Sequence, residues 1–315
     1  MRILLAGASG VFGHVLTPAL VAAGHEVVGI TRTQDGVRAI EAMGASAVVA
    51  DVLDREQLLR IQHAGAGQHF DAVISQLTAL KKPPMRGKDM RLTNVLRTVG
   101  TENLMAVAKE VGAGRFLTQS MIFGYGYGDL GPGPITEDAY FGPSPRKAFA
   151  EHGEAMLRNE QIAFSEPGVD GIALRYGLFY GGPATNAYVE FLQAGKLPIV
   201  KAGTNSFIHL TDAAAATLAA LERGRGGQAY NVVDDTPTAF ANVALEIAEA
   251  FHTKKPRTVP AWMTKPLPYL NAFITGRYVV SNAKAKDELG WKPQYPSYRE
   301  GVRADAEGLR AGARR

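Results

Sequence analysis

Arg2-Ile-Leu-Leu-Ala6, followed without a break by Gly7-Ala-Ser-Gly10-Val-Phe-Gly13, decides how this chain folds. The apolar run reads as a strand buried on both faces, and the apolar stretch from Val11 to about Ala23 reads as a helix. Between them, Gly7 permits a tight exit from the strand and Gly10 lets backbone N–H groups approach phosphate oxygens. Gly13 lets the helix pack close on the sheet. Three spaced glycines are weak in isolation, because turns need glycine for many reasons. Set between such a strand and a helix, they predict a seat for a dinucleotide pyrophosphate, with Ser9, Val11 and Phe12 in the same turn.

Outward from that turn, strand-type runs alternate with helical patterns: Glu26–Thr31, a helix around Val37–Met43, Ala47–Ala50, Asp71–Ser75, a long amphipathic helix from about Thr93 to Val111, and Arg115–Ser120. A Gly/Pro/Tyr-rich loop covers 124–145, Pro145 stands where a helix running to about Gln161 can start, and Gly171–Arg175 is a sixth strand. The alternation predicts an α/β fold, a Rossmann-type doubly wound parallel sheet with helices on both faces. Phe207–Asp212, an Ala-rich helix and Gln228–Val233 read as the last elements returning to that sheet. The predicted division is a dinucleotide-binding domain of 1–176 and 206–233, with a smaller substrate-binding lobe of 177–205 and 234–315 over the C-terminal ends of the strands.

The bulk properties are those of a soluble globular chain. Its 315 residues contain no cysteine, which excludes disulfides and thiolate chemistry and fits a reducing cytoplasm. No run is long enough to span a bilayer, and no charged leader precedes an apolar segment, so neither a membrane span nor a signal peptide is read. The net charge of +4 is spread out, apart from a stretch at 81–91 and a basic C-terminus from Arg310 to Arg315. No nucleic-acid surface follows from it. The residues carry no metal-ligand pattern, and a small molecule is the expected partner.

These residues resemble the extended short-chain dehydrogenase/reductase superfamily, of the NAD(P)-dependent epimerase/dehydratase type. The matching segments are Gly7–Gly13, Asp51-Val52, Asn94 with Gly100-Thr-Glu-Asn-Leu104, Arg175-Tyr-Gly-Leu-Phe-Tyr-Gly-Gly-Pro183, Phe207–Asp212, Tyr230-Asn231 and Leu289-Gly-Trp-Lys-Pro293. The resemblance implies a bound nicotinamide dinucleotide. Where NAD-preferring relatives place an Asp at the end of the second strand, this chain has Thr31 and then Arg32. A guanidinium pairs with a 2′-phosphate that a carboxylate would repel, so NADP(H) is favoured over NAD(H); a plain solvent-facing arginine also fits the position. Asp51, beside Val52, resembles the residue that accepts from the adenine amino group, or caps the next helix together with Asp54. Gln76, Leu77 and Thr78 are expected to flank the ribose or nicotinamide, and Asn94 and Tyr176 complete the expected cofactor contacts. Relatives pair through the helices near 93–111 and 146–161, which makes a homodimer an expectation.

Most of that superfamily works with a Tyr and a Lys four residues later, whose charge lowers the phenol pKa for proton exchange. No tyrosine in this chain has a lysine at that spacing. Alignment on Pro143-Ser-Pro145 and Glu154-Ala-Met-Leu157 places Arg146 at the Tyr position and Ala150 at the Lys position. Candidate replacements are Tyr125 or Tyr127 as proton donor and Arg146 as stabiliser of an oxyanion. Ser120, at the end of the fifth strand, is the candidate to hold the reacting oxygen, although Gln119 is the closest match to the family position. Each also fits a plainer role: wall tyrosines, a salt-bridged helix start and a backbone-bonded serine. Lys147 and His152 are read as solvated helix residues and His209 as structural.

On the substrate side, Lys81, Lys82, Arg86, Lys88 and Arg91 form either an acid-receiving or a merely solvated basic loop. Arg277 and Tyr278 resemble the place where sugar-nucleotide epimerases hold a diphosphate. Gln119 and Tyr180 are candidate substrate contacts; Tyr180 belongs with Phe179, Tyr188, Phe191 and Phe207 to an apolar pocket or to the core. The expected function is hydride transfer between NADP(H) and a small carbonyl, hydroxyl or sugar-derived substrate. A non-redox lyase, isomerase or cyclase that retains the cofactor, and a nucleotide-sensing regulator, are the alternatives.

Overall fold

In a computed structural model, which describes residues 1–63, 69–80 and 84–312, nine strands occur: β1 (Arg2–Ala6), β2 (Glu26–Thr31), β3 (Ser46–Val49), β4 (Ala72–Ser75), β5 (Arg115–Met121), β6 (Asp170–Tyr176), β7 (Leu178–Tyr180), β8 (Phe207–His209) and β9 (Gln228–Val232). Lys81 and Lys82 of the basic loop, and the last residues of the basic C-terminus, lie outside the described residues. Seven strands form one parallel sheet in the order β3-β2-β1-β4-β5-β6-β9. The order reverses between β1 and β4, the point where doubly wound sheets open a crevice at their C-terminal edge.

The helices are α1 (Gly13–Ala22), α2 (Gln34–Ala42), α3 (Arg55–Leu59), α4 (Arg91–Val95), α5 (Thr101–Glu110), α6 (Lys147–Ala163), α7 (Pro183–Gln193), α8 (Leu210–Arg223), α9 (Phe240–Ala250), α10 (Pro268–Thr275), α11 (Ala283–Leu289) and α12 (Tyr298–Gly312). Strand alternation sorts them onto two faces. Ile3 and Leu5 of β1 pack with Leu16 and Leu20 of α1 and the alanines of α8. Leu4 and Ala6 point the other way, toward Leu58 of α3 and Leu104 and Val107 of α5. A third cluster, rich in aromatic side chains, gathers Phe123, Tyr125, Tyr127, Phe149, Tyr269 and Tyr278 beyond the sheet's C-terminal edge.

Three departures from the expected elements have local causes. The strand expected from Asp71 starts at Ala72, because the Asp71 carboxylate accepts from the Arg2 amide at 2.6 Å and brackets the start of β1. The single helix expected over 93–111 is α4 and α5 joined by a π turn, Leu96–Gly100. Of the elements expected to return to the sheet, α8 and β9 do, whereas β8 pairs with β7 in a separate parallel ribbon.

Candidate active site

The glycine turn is built as a cradle. Gly7 has φ of +93°, and a Cβ there would lie 2.4 Å from the Gln76 carbonyl oxygen. At Gly13 a Cβ would lie 2.2 Å from the carbonyl oxygens of Gly7 and Ala8. The close approach at Gly13 is therefore to the turn itself rather than to the sheet. Gly10 donates to the Gly7 carbonyl at 3.0 Å, and Ser9, Gly10 and Val11 are exposed above α1's N-terminus. That end of the helix carries unsatisfied N–H groups and the positive end of its dipole.

The other strand ends complete the rim. Arg32 is exposed directly after the buried Thr31 of β2. Asp51 Oδ1 accepts from the Leu53 amide at 3.0 Å, while Asp54 accepts from the Gln57 amide at 3.0 Å and caps α3. Val52 is buried, Leu77 is half-buried and Thr78 is exposed, its Oγ1 accepting from the Leu80 amide. Gln76 is 4% exposed and leaves its Oε1 without a partner, beside the glycine turn. A cradle that a Cβ would fill, an exposed guanidinium and an orphaned amide oxygen all fit a nicotinamide dinucleotide. Tyr176 lies behind the rim: it is fully buried, accepts from Gln76 Nε2 at 3.3 Å, lies 2.7 Å from Thr217 Oγ1 and packs edge-on against Phe12.

The strand-end serine and the first loop tyrosine meet in one buried network. Ser120, Arg175 and Asn231 are register neighbours across β5, β6 and β9. Ser120 Oγ donates to Glu160 at 2.6 Å, and Glu160 of α6 also accepts from Arg175 Nε and Nη2 at 2.9 and 2.7 Å. Arg175 Nη1 donates at 2.9 Å to the Tyr125 hydroxyl, which donates at 2.7 Å to Asn231 Oδ1. Burial pushes the Tyr125 phenol up to about 12, against the opposing pull of Arg175. With Ser120 fully buried and its hydroxyl given to Glu160, the geometry provides no contact between this serine and a substrate oxygen. Tyr125 is equally committed.

Tyr127 sits elsewhere. Its ring stacks on Phe149 at 4.3 Å and its hydroxyl lies 3.4 Å from that of Tyr269. Burial raises both phenols, so both stay protonated. Beside them, Asn94 of α4 meets His152 of α6, Nδ2 to Nδ1, at 2.9 Å. His152 is 2% exposed, which corrects its expected solvation, and burial lowers its pKa. Asn94 therefore donates to a neutral ring, and its own Oδ1 has no partner. Arg97 completes this cluster.

The remaining candidates separate. Arg146 is exposed at the start of α6, with its guanidinium against Gly128, and Lys147 is exposed beside it. Gln119 is half-buried with an unpartnered Oε1. Tyr180 is fully buried and donates to the Ser297 carbonyl, so no surface of it remains for a substrate. Arg277 is exposed and donates to the Pro132 carbonyl, whereas Tyr278 is buried and donates to the Ala272 carbonyl. His209 caps α8 through Nδ1 and faces Asp305 through Nε2 at 3.2 Å. Among the described residues, no group of three or more His, Asp or Glu could hold a metal ion, and no helix is long and apolar enough to cross a membrane.

The family model of the NAD dependent epimerase/dehydratase family matches residues 3–233, which spans the glycine turn, the whole sheet and the ion-pair network. The chain belongs to that family. It is 37% identical to a 3-diazoavenalumate denitrifying reductase of a Streptomyces species, over 96% of this chain and 99% of the relative. It is 26% identical to a 4-hydroxy-2-methyl-3-oxo-4-farnesyl-3,4-dihydroquinoline-1-oxide ketoreductase of Stigmatella aurantiaca, over 78% of this chain and 73% of that one. Its fold matches that of a Thermotoga maritima UDP-glucose 4-epimerase with a TM-score of 0.80 at 21% identity, covering 99% and 100% of the two chains. It is an NAD(P)-dependent enzyme of the epimerase/dehydratase family. Glu160, Arg97 and Tyr269 pack against the candidate residues, and the sequence reading did not single them out. Arg97 carried a usable signal: it falls on the same inward stripe as Thr93, Asn94, Thr101 and Leu104.

Proposed function

We propose that this chain is an NADPH-dependent reductase whose substrate is a small aromatic diazo carboxylate. One observation carries the proposal. No tyrosine of this chain has a lysine four residues later, the resemblance puts Arg146 and Ala150 at those two positions, and the candidate hydroxyls Ser120 and Tyr125 are engaged in a buried ion-pair network. Reduction of a carbonyl leaves an alkoxide that needs a proton. An arenediazonium carbon that receives a hydride needs none: the C–H bond forms, the C–N bond breaks, and its electron pair leaves with dinitrogen. A fold that has lost the relay suits that chemistry. The 37% identical relative, named as a reductase that denitrifies a diazo carboxylate, supports the same class.

The chain's own residues would divide the work. Gly7, Gly10 and Gly13 with Ser9, Val11 and Phe12 would hold the pyrophosphate, Asp51 and Val52 the adenine, and Gln76, Leu77 and Thr78 the ribose and nicotinamide side. Exposed Arg32 would pair with a 2′-phosphate, which favours NADPH over NADH. When bound, the reduced nicotinamide supplies the hydride. Segments 177–205 and 234–315 would cover the substrate. The buried, mutually stacked rings of Phe123, Tyr127 and Phe149 would exclude water from one side of the site.

Carbonyl reduction with Tyr127 as proton donor has one observation in its favour, the 3.4 Å contact of two protonated phenols beside an arginine. The two chemistries separate cleanly. With para-carboxybenzenediazonium and NADPH deuterated at the nicotinamide C4, the expected result is one NADPH oxidised per dinitrogen released, with deuterium on the ring carbon. NADPH consumption no faster than in enzyme-free buffer, together with turnover of ketones, would overturn the proposal in favour of carbonyl reduction.

A further inference from the structure

Among the described residues, an arginine beside the Asn94–Tyr127–Tyr269 cluster has a buried nitrogen without a hydrogen-bond partner. Arg97 lies in the π turn between α4 and α5 and is 8% exposed. Its Nη1 is fully buried and has no hydrogen-bond partner. Among the described residues it forms no ion pair with a carboxylate; Tyr127 and Tyr269 bear on its charge, and burial pulls its pKa down. Buried arginines are ordinarily paired, as Arg175 is with Glu160 in this same chain. A guanidinium does not give up its proton in a protein, so Arg97 sits as a buried cation. Around it are donors: two phenol O–H groups that stay protonated and a neutral His152 engaged by Asn94.

The surrounding construction holds this cation in place beside the expected nicotinamide end. Thr93 Oγ1 accepts from the Ala79 amide at 3.2 Å, and a Cβ at Gly100 would lie 3.3 Å from Leu77, so the turn is pressed onto the segment after β4. On the other side Thr101 donates to Asn159 of α6 at 2.8 Å. The π turn opens the helix at this level, a device found where a helix must present a functional side chain.

We infer that Arg97 is the seat of the substrate's carboxylate, the anion that completes a cation–phenol cluster left without a counter-charge. The inference deepens the reductase proposal and rests on it for the identity of the substrate, but binding is separable from turnover. Planar guanidinium and carboxylate match in a two-bond fork, and the Tyr127–Tyr269 pair leaves one O–H donor free beside it.

The test uses the full chain saturated with NADP+, with trans-cinnamate and its uncharged amide as probes in thermal unfolding. Cinnamate should raise the wild-type Tm and the amide should not. Arg97→Met should unfold at a higher temperature than wild type without ligand, because an unpaired buried charge is removed, and should show no cinnamate shift. Arg97→Lys should keep a weakened shift. With a carboxylated arenediazonium, Arg97→Met should raise KM on the order of 10- to 100-fold, the worth of one charge-assisted pair, with the methyl ester's KM and the NADPH Kd unchanged. No wild-type shift, equal shifts in wild type and Arg97→Met, or a lower ligand-free Tm in Arg97→Met would each overturn the inference and leave Arg97 a structural residue. Arg97-dependent cinnamate binding without diazonium reduction would instead remove the reductase proposal and leave the carboxylate seat standing.

Discussion

Replacing Arg175 by Met isolates the ion pair that ties β5, β6 and α6 together. In the native protein the Arg175 and Glu160 side chains are 7% and 3% exposed. The Glu160 carboxylate accepts two bonds from Arg175, at 2.9 and 2.7 Å, and one from Ser120 at 2.6 Å. Removing the guanidinium leaves a buried carboxylate with a single hydroxyl donor, a change that costs about 3–5 kcal/mol. A chain of 315 residues has an unfolding entropy of roughly 0.7 kcal/mol per kelvin near its midpoint. The expected fall in Tm is therefore about 4–7 °C by scanning calorimetry. The double variant Glu160→Met/Arg175→Met, which removes both charges, should recover all but about 1 kcal/mol of that loss. Tyr125 keeps its bond to Asn231 in both variants, so reductase activity should fall by less than about tenfold. A single-variant Tm within one degree of wild type, or a double variant no more stable than the single, would refute the assignment of this network as a structural clamp.

Three further outcomes follow from the rim and the helix cluster. Gly7→Ala should lose at least about 1–2 kcal/mol from the left-handed backbone alone, with more from the 2.4 Å approach to the Gln76 carbonyl, and calorimetry should show a large loss of NADP(H) affinity. Arg32→Asp should weaken NADPH binding about 10- to 100-fold while NADH changes by less than about threefold; equal effects on both would remove Arg32 from the 2′-phosphate. His152 has its pKa lowered below 6.5, first by burial, so the unfolded chain takes up its proton before the folded one does. Its contribution is whole above pH 6.5 and is lost as pH falls through the folded value. His152→Gln should accordingly flatten the acid side of the Tm–pH curve, and an unchanged acid limb would exclude the titration.

The glycine turn and the strand ends of the expected cofactor rim were legible because their geometry is local. Gly7, Gly10 and Gly13 answer to the backbone of one turn, and Arg32 follows its own strand, so spacing along the chain is enough to read them. The catalytic half was not legible for the opposite reason. Ser120 and Tyr125 look available as isolated residues, but Glu160, forty positions from the serine, and Asn231, more than a hundred from the tyrosine, take up their hydroxyls. His152 looks solvated on a polar helix until α4 closes over it. Tyr180 looks like a pocket wall until the Ser297 carbonyl accepts its hydrogen bond.

Short-range steric and hydrogen-bonding demands, repeated at fixed spacing, determine the parallel sheet and the glycine turn directly from residue order. Which polar groups are satisfied and which are left over is a different kind of fact, because it depends on partners brought together from distant segments. Arg175 and Arg97 are the same residue type on elements that both pack on α6, one neutralised by Glu160 and the other given no carboxylate among the described residues. Only tertiary packing, which sets the neighbours of each buried charge and hence its desolvation, makes one of them a clamp and leaves the other open to an anion.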